Sequence, residues 1–472
     1  MVAVLILIQD VASQDLEIRI KIDEAQPSVA RIEGKCLNGR RLSGLSFLPS
    51  YAGITGLANR ISQVKLGDQV IDSGKTASGD YVASSTFSSF SYSVTLRQMA
   101  LLTTAAHISW LSPDGGLLVL DDLLPQPTDK LHVRVTFDLP RGWRFISNED
   151  RPDENVLNIG DAQRAVVFVG RSWRIKPVGT ANVRLLISGE HQISDDAMGA
   201  DAAAIYAEYA KTFGSAPPGP AAQIAIIRFP SASGAGAWEA ETRGSTVTIV
   251  TSGGLSPRDA EQRLDQQLRH ELFHLWLPNG VNLSGNYDWF YEGFATYEEQ
   301  KMGVAINQIR FEDFLGTLGR AYDIDRFTAP RRSLIDASQD RWSGGNSQVY
   351  ARGMLVAFLS DVALLDASKG KTSVESLLKQ LFDEHRPPAA FLDGNEAIAT
   401  LMRSHPELAL IVDDYVSGSK ALDWSPLLQK AGIQATTRDQ LTQLAVGDKL
   451  TGRQKTLLDK LGYNNWRKLA PK

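Results

Sequence analysis

The 472-residue chain has little cysteine, little histidine and no marked excess of either charge. Its single cysteine, Cys36, excludes an intramolecular disulfide, and no base placed near it suggests a catalytic thiol. The 49 basic and 54 acidic residues leave a formal net charge of −5, which gives no reason to expect a nucleic-acid partner or an anionic membrane surface. With only seven histidines, any pairing of two of them around a glutamate is informative.

Long apolar runs are also scarce. Residues 3–8 are apolar but fall far short of the roughly twenty that a membrane-spanning helix needs, and no other segment is expected to reach that length. The small residues at 11–14 resemble the cleavage region of a signal peptide, although a basic region before the run is missing. Residues 1–14 are therefore a signal remnant or a first strand. We expect an exported, periplasmic protein, with a cytoplasmic one as the alternative.

The first part of the chain has the alternation of β-strands. Residues 16–23 and 131–137 alternate apolar and polar side chains, which is typical of half-buried strands. Two further strands are predicted at residues 165–169 and 183–187. Residues 74–91 are rich in serine, glycine and threonine, and we expect loops there. This pattern predicts an all-β domain over residues 1–190.

Helical signals dominate the second part, after a mixed region. Residues 200–213 are rich in alanine with helical spacing, and strands are predicted at 224–229 and 246–250. Ser256 is a suitable N-cap and Pro257 suits the first helical position, so a long helix should begin there and end near residues 278–280.

Most of the chain from this helix to about residue 416 is predicted to be helical. We therefore expect a multidomain α+β protein with a mainly helical second domain over residues 191–416. A short C-terminal helical tail is predicted over residues 417–472.

The motif HELFH at residues 270–274 falls within that helix. Positions i and i+4 share one helix face, so His270 and His274 can reach one metal ion, with Glu271 beside them. Catalytic zinc takes three protein ligands and keeps a further position for water. We predict one zinc ion per chain, with Glu271 as the general base.

Glu292 is the predicted third ligand. It lies eighteen positions after His274, within the aromatic segment WFYEGFATY. A lone glutamate is usually a surface carboxylate, but this setting after an HExxH motif favours a metal ligand. Gly293 and Ala295 are small, and we expect them to let this second helix approach the HExxH helix closely.

With these motifs the chain resembles the gluzincin metallopeptidases, most closely the glycyl-aminopeptidase family, which is related to the large zinc aminopeptidases. The segments LPRGW at 139–143, YARGMLV at 350–356 and YVSGS at 415–419 add to the resemblance, which covers about residues 15–435. It implies a thermolysin-like zinc peptidase domain over residues 191–416. Glycyl-aminopeptidases usually continue into a PDZ domain, which we expect to be absent here.

The resemblance also implies the roles of further residues. Tyr350 would donate to the oxyanion of the reaction, although its residue type alone would suggest a core aromatic side chain. In the segment GAWEA, Gly236 and Ala237 would contact the substrate, and Glu239 would hold a free α-amine, with Glu241 as the competing candidate. The strand at 246–250 would be the edge strand that pairs with the peptide.

The sequence thus predicts a zinc aminopeptidase that hydrolyses N-terminal residues from peptides. An endopeptidase on the same scaffold is the alternative. A peptide-binding relative without turnover is a third hypothesis, against which the complete set of ligands, base and tyrosine argues. Trp238 and Ala240 depart from the family pattern, so the preferred side chain stays open.

Overall fold

The computed structural model describes residues 15–70, 79–97, 104–126, 132–179, 182–229 and 236–465. The predicted signal remnant at residues 1–14 lies outside this part of the chain. Two compact units are present. Unit 1 comprises Met1–Ile175, Leu186–Glu190 and Gln223–Gly254, and unit 2 comprises Lys176–Leu185, His191–Ala222 and Leu255–Lys472. The domain limits at residues 190 and 416 stay predictions, and each compact unit is made of three separate segments of the chain.

Strands predominate before residue 254 and long helices after it. The strands are β1 Leu16–Ile22, β2 Val29–Cys36, β3 Leu42–Leu45, β4 Ser50–Tyr51, β5 Ile54–Thr55, β6 Ile61–Leu66, β7 Gln69–Val70, β8 Tyr81–Phe87, β9 Ser89–Thr95, β10 Trp110–Ser112, β11 Gly115–Val119, β12 Val133–Asp138, β13 Arg144–Ile146, β14 Asp150–Asp153, β15 Val156–Ile159, β16 Val166–Gly170, β17 Trp173–Pro177, β18 Val183–Ser188, β19 Ala222–Arg228, β20 Trp238–Arg243, β21 Thr246–Thr251, β22 Leu283–Ser284, β23 Leu392–Asp393, β24 Ile433–Arg438 and β25 Leu441–Val446. The helices are α1 Leu120–Leu123, α2 Asp195–Phe213, α3 Pro257–Phe273, α4 Asp288–Ala305, α5 Phe311–Phe327, α6 Leu334–Gln339, α7 Asn346–Ala367, α8 Val374–His385, α9 Gly394–Arg403, α10 Ala409–Ile411, α11 Ser425–Ala431 and α12 Gly452–Lys460.

Unit 1 contains an eight-stranded sheet in the order β14-β15-β12-β1-β2-β9-β6-β7 and a four-stranded sheet in the order β10-β11-β16-β13. Strict alternation in β1 buries Ile18 and Ile20 and exposes the residues between them, as predicted. Val135 of β12 and Val167 of β16 belong to the same buried cluster. The predicted strands therefore supply the core of this unit.

The expectation of loops over residues 74–91 is wrong where the structure describes this segment. Residues 81–91 form β8 and the start of β9. Tyr81, Phe87 and Phe90 are buried there, and aromatic side chains favour strands even among many serines.

A further sheet has the order β17-β18-β19-β21-β20. Strand β21 pairs in parallel with β19 and antiparallel with β20, so the prediction that residues 246–250 form the edge strand is wrong. All six residues of β21 are buried, which suits a continuous β-branched run in a sheet interior. Among the described strands, β20 lies at this edge, and it carries the charged, partly exposed residues.

Helix α3 begins as predicted. The Ser256 side chain accepts a hydrogen bond from the Asp259 backbone N–H, and Pro257 occupies the first helical position. The helix ends at Phe273, earlier than expected, so that His274 is its C-cap. The HExxH motif thus occupies the last turn of α3.

Helices α4 and α7 cross with their backbones in contact. A Cβ atom added to Gly293 would lie 2.5 Å from Gly353 Cα, and one added to Gly353 would lie 2.6 Å from the Trp289 carbonyl oxygen. The expectation that Gly293 serves an approach to the HExxH helix is therefore wrong, since its close contact is with α7. This crossing brings Tyr350, three residues before Gly353, to the same level as Glu292.

A buried carboxylate joins the same two helices further along. The Tyr297 hydroxyl and the Lys301 ammonium each donate to Asp361 Oδ2 at 2.6 Å. The backbone N–H of Val374 donates to Asp361 Oδ1 at 2.9 Å. Because both oxygens of this fully buried carboxylate are hydrogen-bonded, the contact fixes α4 against α7 without leaving an unsatisfied charge.

Among the described residues, α7 is long and apolar enough to cross a membrane by length and composition alone. The expectation that no segment reaches the length of a membrane-spanning helix is therefore wrong for α7, as far as length and composition are concerned. Of its most apolar 18-residue window, 94% is buried inside the protein, as in the core helix of a folded domain.

The prediction of a helical tail misses a hairpin. Strands β24 and β25 pair antiparallel through the two-residue connection of Asp439 and Gln440, whose φ angles are 51° and 66°. Two positive φ angles are typical of a type I′ turn. The sequence signal is weak because this turn lacks the glycine that usually marks it.

Candidate active site

Two histidines and a glutamate converge in unit 2, at the end of α3 and the start of α4. His270 Nε2 lies 3.1 Å from Glu292 Oε2, and His274 Nε2 lies 3.6 Å from the same oxygen. One ligand atom from each side chain lies within 4.8 Å of the others. The structure thus brings the three predicted ligands together, while their binding of zinc stays a prediction.

The other ring nitrogen of each histidine, Nδ1, contacts a residue that is not one of the three converging side chains. His270 Nδ1 lies 3.4 Å from Glu299 Oε2, and His274 Nδ1 lies 3.0 Å from the Leu277 carbonyl oxygen. Such partners fix the tautomer and orientation of metal-binding histidines. Two oriented imidazole nitrogens and one carboxylate oxygen fit the donor set of catalytic zinc.

Glu292 is tied on its other side to Arg341, which the sequence analysis missed. Glu292 Oε1 lies 3.0 Å from Arg341 Nη2. Burial would raise the pKa of this carboxyl group, but Arg341 and the two histidines outweigh burial and hold the pKa well below its usual range. Glu292 is therefore a carboxylate with Oε2 directed toward the histidines.

Tyr350 lies beside these residues, and its role as the oxyanion donor stays a prediction. Its ring is stacked on that of His270 with 6.2 Å between centroids, and its hydroxyl accepts a hydrogen bond from Arg341 Nη2 at 2.7 Å. Burial, and then the charge of Glu292, raise the pKa of Tyr350 well above its usual value. The phenol therefore keeps its proton at neutral pH and can donate it in a hydrogen bond.

Glu271 is buried in the last turn of α3, 6% exposed, between the two histidines in sequence. The three side chains whose ligand atoms converge do not include it. Its predicted role as a general base stays a prediction.

The predicted substrate residues lie in unit 1, just before and within β20. Gly236 has a φ of 78° and its N–H donates to the Gly253 carbonyl, and Ala237 exchanges hydrogen bonds with Ser252. These contacts fix the turn that leads into the edge strand β20, and Glu239 is the second residue of that strand.

Glu239 and Glu241 share a face of β20, and His107 lies between them. His107 Nδ1 is 2.7 Å from Glu241 Oε2, and His107 Nε2 is 3.6 Å from Glu239 Oε2. Glu241 is further bound by the Tyr51 hydroxyl and by Arg243 Nε, and its side chain is 12% exposed against 28% for Glu239. Glu239 is thus the more available carboxylate of the two.

This cluster predicts a pH dependence of stability. Burial lowers the pKa of His107, but hydrogen bonds to Glu239 and Glu241 and their charges outweigh it and raise the pKa to about 9. Because the folded-state pKa exceeds the unfolded one, protonated His107 stabilises the fold fully below about pH 6.5 and loses this effect as pH rises to about 9. The loss is on the order of 3 kcal/mol, since one pKa unit corresponds to about 1.4 kcal/mol.

Thermal unfolding from pH 6.5 to 9.5 with zinc in excess checks this expectation. The His107→Gln variant should start less stable than the wild type and show a flatter decline over this interval. His132→Gln, at a side chain that is 42% exposed, is the control and should follow the wild-type slope. Parallel slopes for the wild type and His107→Gln would contradict the role of His107.

Comparisons by sequence match this chain only in part. No protein-family model matches the chain. Leucine aminopeptidase 2 of Vanderwaltozyma polyspora is 26% identical over 176 residues, which are 35% of this chain but only 25% of that protein. The matched part thus spans about a quarter of the length of this curated relative.

Solved structures match over most of the chain. An aminopeptidase N family protein from Idiomarina loihiensis has a TM-score of 0.74 at 16% identity, over 93% of this chain and 82% of that one. An M1 zinc metallopeptidase from Deinococcus radiodurans has a TM-score of 0.54 at 16% identity, over 87% of this chain and 95% of that one. These likenesses confirm the multidomain α+β fold, with a sheet-rich part followed by a helical part.

Proposed function

We propose that this chain is a zinc-dependent peptidase of the gluzincin type that acts as an aminopeptidase. The observation that carries the proposal is the convergence of two imidazole Nε2 atoms and Glu292 Oε2, with both rings held at Nδ1 by other groups. The fold shared with zinc metallopeptidase structures supports it. Membership of the glycyl-aminopeptidase family rests on the sequence motifs and is part of the proposal.

Each side chain of the site has a role in this reaction. When bound, zinc supplies a Lewis acid that makes water a nucleophile near neutral pH. Glu271 accepts the proton of the attacking water and passes it to the leaving amine. Tyr350, which keeps its proton, donates a hydrogen bond to the carbonyl oxygen as negative charge develops there.

The free amine of the substrate is the proposed ligand of Glu239. This carboxylate is on the edge strand β20 and is the more exposed of the two candidates. An extended peptide can add a strand at the edge of a sheet, and among the described strands β20 lies at this edge. We therefore transfer the predicted peptide-pairing role from residues 246–250 to residues 238–243.

A paired assay tests the aminopeptidase proposal. A dipeptide amide with a free N-terminus should be hydrolysed, and its N-acetylated form should react about 10–100-fold more slowly, because it lacks the charge-assisted hydrogen bond to Glu239. Glu239→Gln should remove most of this difference. Glu17→Gln, at an exposed carboxylate of β1, is the matched control and should leave the difference unchanged.

The possible results separate the alternatives. Equal cleavage of both amides would contradict the aminopeptidase proposal and favour the endopeptidase. Cleavage of neither by zinc-loaded protein would favour a peptide-binding protein without turnover.

A further inference from the structure

Arg341 makes polar contacts to three side chains around the candidate metal site. Its Nη2 donates to the Tyr350 hydroxyl at 2.7 Å and lies 3.0 Å from Glu292 Oε1, and its Nη1 donates to Asp288 Oδ1 at 2.7 Å. The Arg341 side chain is 10% exposed. The ring of Trp342 covers the guanidinium at 4.4 Å. This cation is therefore part of the wall of the site and not a surface charge.

We propose that Arg341 is a positioning residue that orients Tyr350 and Glu292 together, so that the phenol directs its proton to the reacting carbonyl oxygen and Glu292 offers one oxygen to the metal. The proposal rests on the proposed peptidase function and extends it to a residue outside the motifs that carry the family resemblance.

The contact to Tyr350 orients a group that could otherwise donate elsewhere. Arg341 has no acceptor and always carries charge, so in this contact the phenol oxygen must be the acceptor. The hydroxyl proton is then left for another partner. The phenol also hydrogen-bonds the buried carboxylate of Glu292, and Arg341 holds Oε1 of that carboxylate. Arg341 therefore fixes the phenol oxygen from one side, and substrate would compete with Glu292 for the phenol proton.

The contact to Glu292 selects which oxygen faces the histidines. With Oε1 bound to Arg341, Oε2 is the atom at 3.1 Å and 3.6 Å from the imidazole Nε2 atoms. A planar guanidinium fixes a carboxylate in orientation as well as in charge. Partners of this kind typically contribute a factor of 10–100 in metal affinity.

Arg341 itself is held in place by its backbone and by Asp288. It begins the 3₁₀ turn Arg341–Ser343, nine residues before Tyr350. Ser343 and Gly345 both donate backbone hydrogen bonds to the Asp340 carbonyl at 2.9 Å, and a Cβ atom on Gly345 would lie 2.0 Å from the Ala337 carbonyl oxygen. The turn therefore fits closely against α6 and gives the guanidinium a defined position.

The test uses zinc-loaded enzyme and a double-mutant cycle. Arg341→Met should lower kcat on a dipeptide amide about 10–100-fold with little change in KM. The double variant Arg341→Met/Tyr350→Phe should be scarcely slower than Tyr350→Phe alone, because the two residues act as one unit. Arg341→Lys keeps the charge but lacks the planar guanidinium with its paired N–H donors, so its kcat should lie between those of the wild type and Arg341→Met. Arg320→Met, at an exposed arginine of α5, should behave as wild type.

A second measurement does not depend on turnover. The zinc Kd, measured by competition with a chelating dye, should weaken by about 10-fold or more in Arg341→Met. The proposal would be overturned if the losses of kcat caused by Arg341→Met and Tyr350→Phe multiply in the double variant and Arg341→Met leaves the zinc Kd unchanged. If Arg341→Met does not fold, the same cycle and the same Kd measurement with Arg341→Lys decide in the same way. If the wild-type protein binds zinc but is inactive, the proposed function is contradicted. The zinc Kd of Arg341→Met, compared with that of the wild type, would still test the role of Arg341.

Discussion

Glu271→Gln is expected to retain zinc and to lose hydrolysis by a factor of about 10²–10⁴. The amide is close in shape to the carboxylate but cannot accept a proton from water and return it to the leaving amine. The converging donor atoms belong to His270, His274 and Glu292, so the metal should remain bound. Catalysis should therefore fail while the site stays assembled.

The measurement is kcat at saturating substrate, with zinc content determined on the same sample by mass spectrometry. Glu261→Gln, at an exposed glutamate of the same helix α3, is the matched control and should leave both quantities unchanged. A Glu271→Gln enzyme that keeps more than about a tenth of its kcat would show that another group is the base. Loss of zinc in this variant would make Glu271 a ligand or a support of the ligands instead.

His274→Ala is expected to abolish stable zinc binding, activity and the stabilisation that zinc gives to the fold. His274 is one of three side chains whose ligand atoms converge, and its ring is oriented by the Leu277 carbonyl. A metal that binds only the folded state stabilises it by about 4 kcal/mol when free metal is a thousandfold above its Kd. Wild-type Tm should therefore fall on chelation and recover with zinc, whereas the variant should not respond to either treatment.

Thermal unfolding with and without chelator, followed by return of zinc, checks this expectation. His132→Ala is the control, because that half-exposed histidine lies in unit 1 and should leave the zinc response intact. Wild-type protein that is fully active after complete removal of metal would end the zinc hypothesis. A His274→Ala protein that still gains stability from zinc would place the metal elsewhere.

Local sequence signals accounted for the elements that carry the site. The Ser256 cap and Pro257 mark the start of α3 because N-cap geometry depends on adjacent residues. The alternation in residues 16–23 identifies β1 because one face of that strand is buried. The HExxH spacing brings two imidazoles together through the period of a single helix.

The sequence did not reveal which elements meet. Gly293 indicated a close helix approach, but only the fold shows that the partner is Gly353 of α7. The β-branched run at 246–250 indicated a strand, while its interior position depends on β20 pairing beyond it. Arg341 and Glu299 gave no signal of their own, since an arginine or a glutamate becomes informative only when the residues it contacts are known.

The backbone contact between Gly293 and Gly353 has a consequence for how this protein can evolve. At this point no side chain separates the backbones of α4 and α7, so the spacing of the two helices there depends on no side chain that could grow or shrink. Substitutions elsewhere in the core can change stability by degrees, but they cannot change this spacing by degrees. Descendants of this sequence should therefore diversify in substrate through the residues that line the site, while the separation of the α4 and α7 backbones is inherited unchanged.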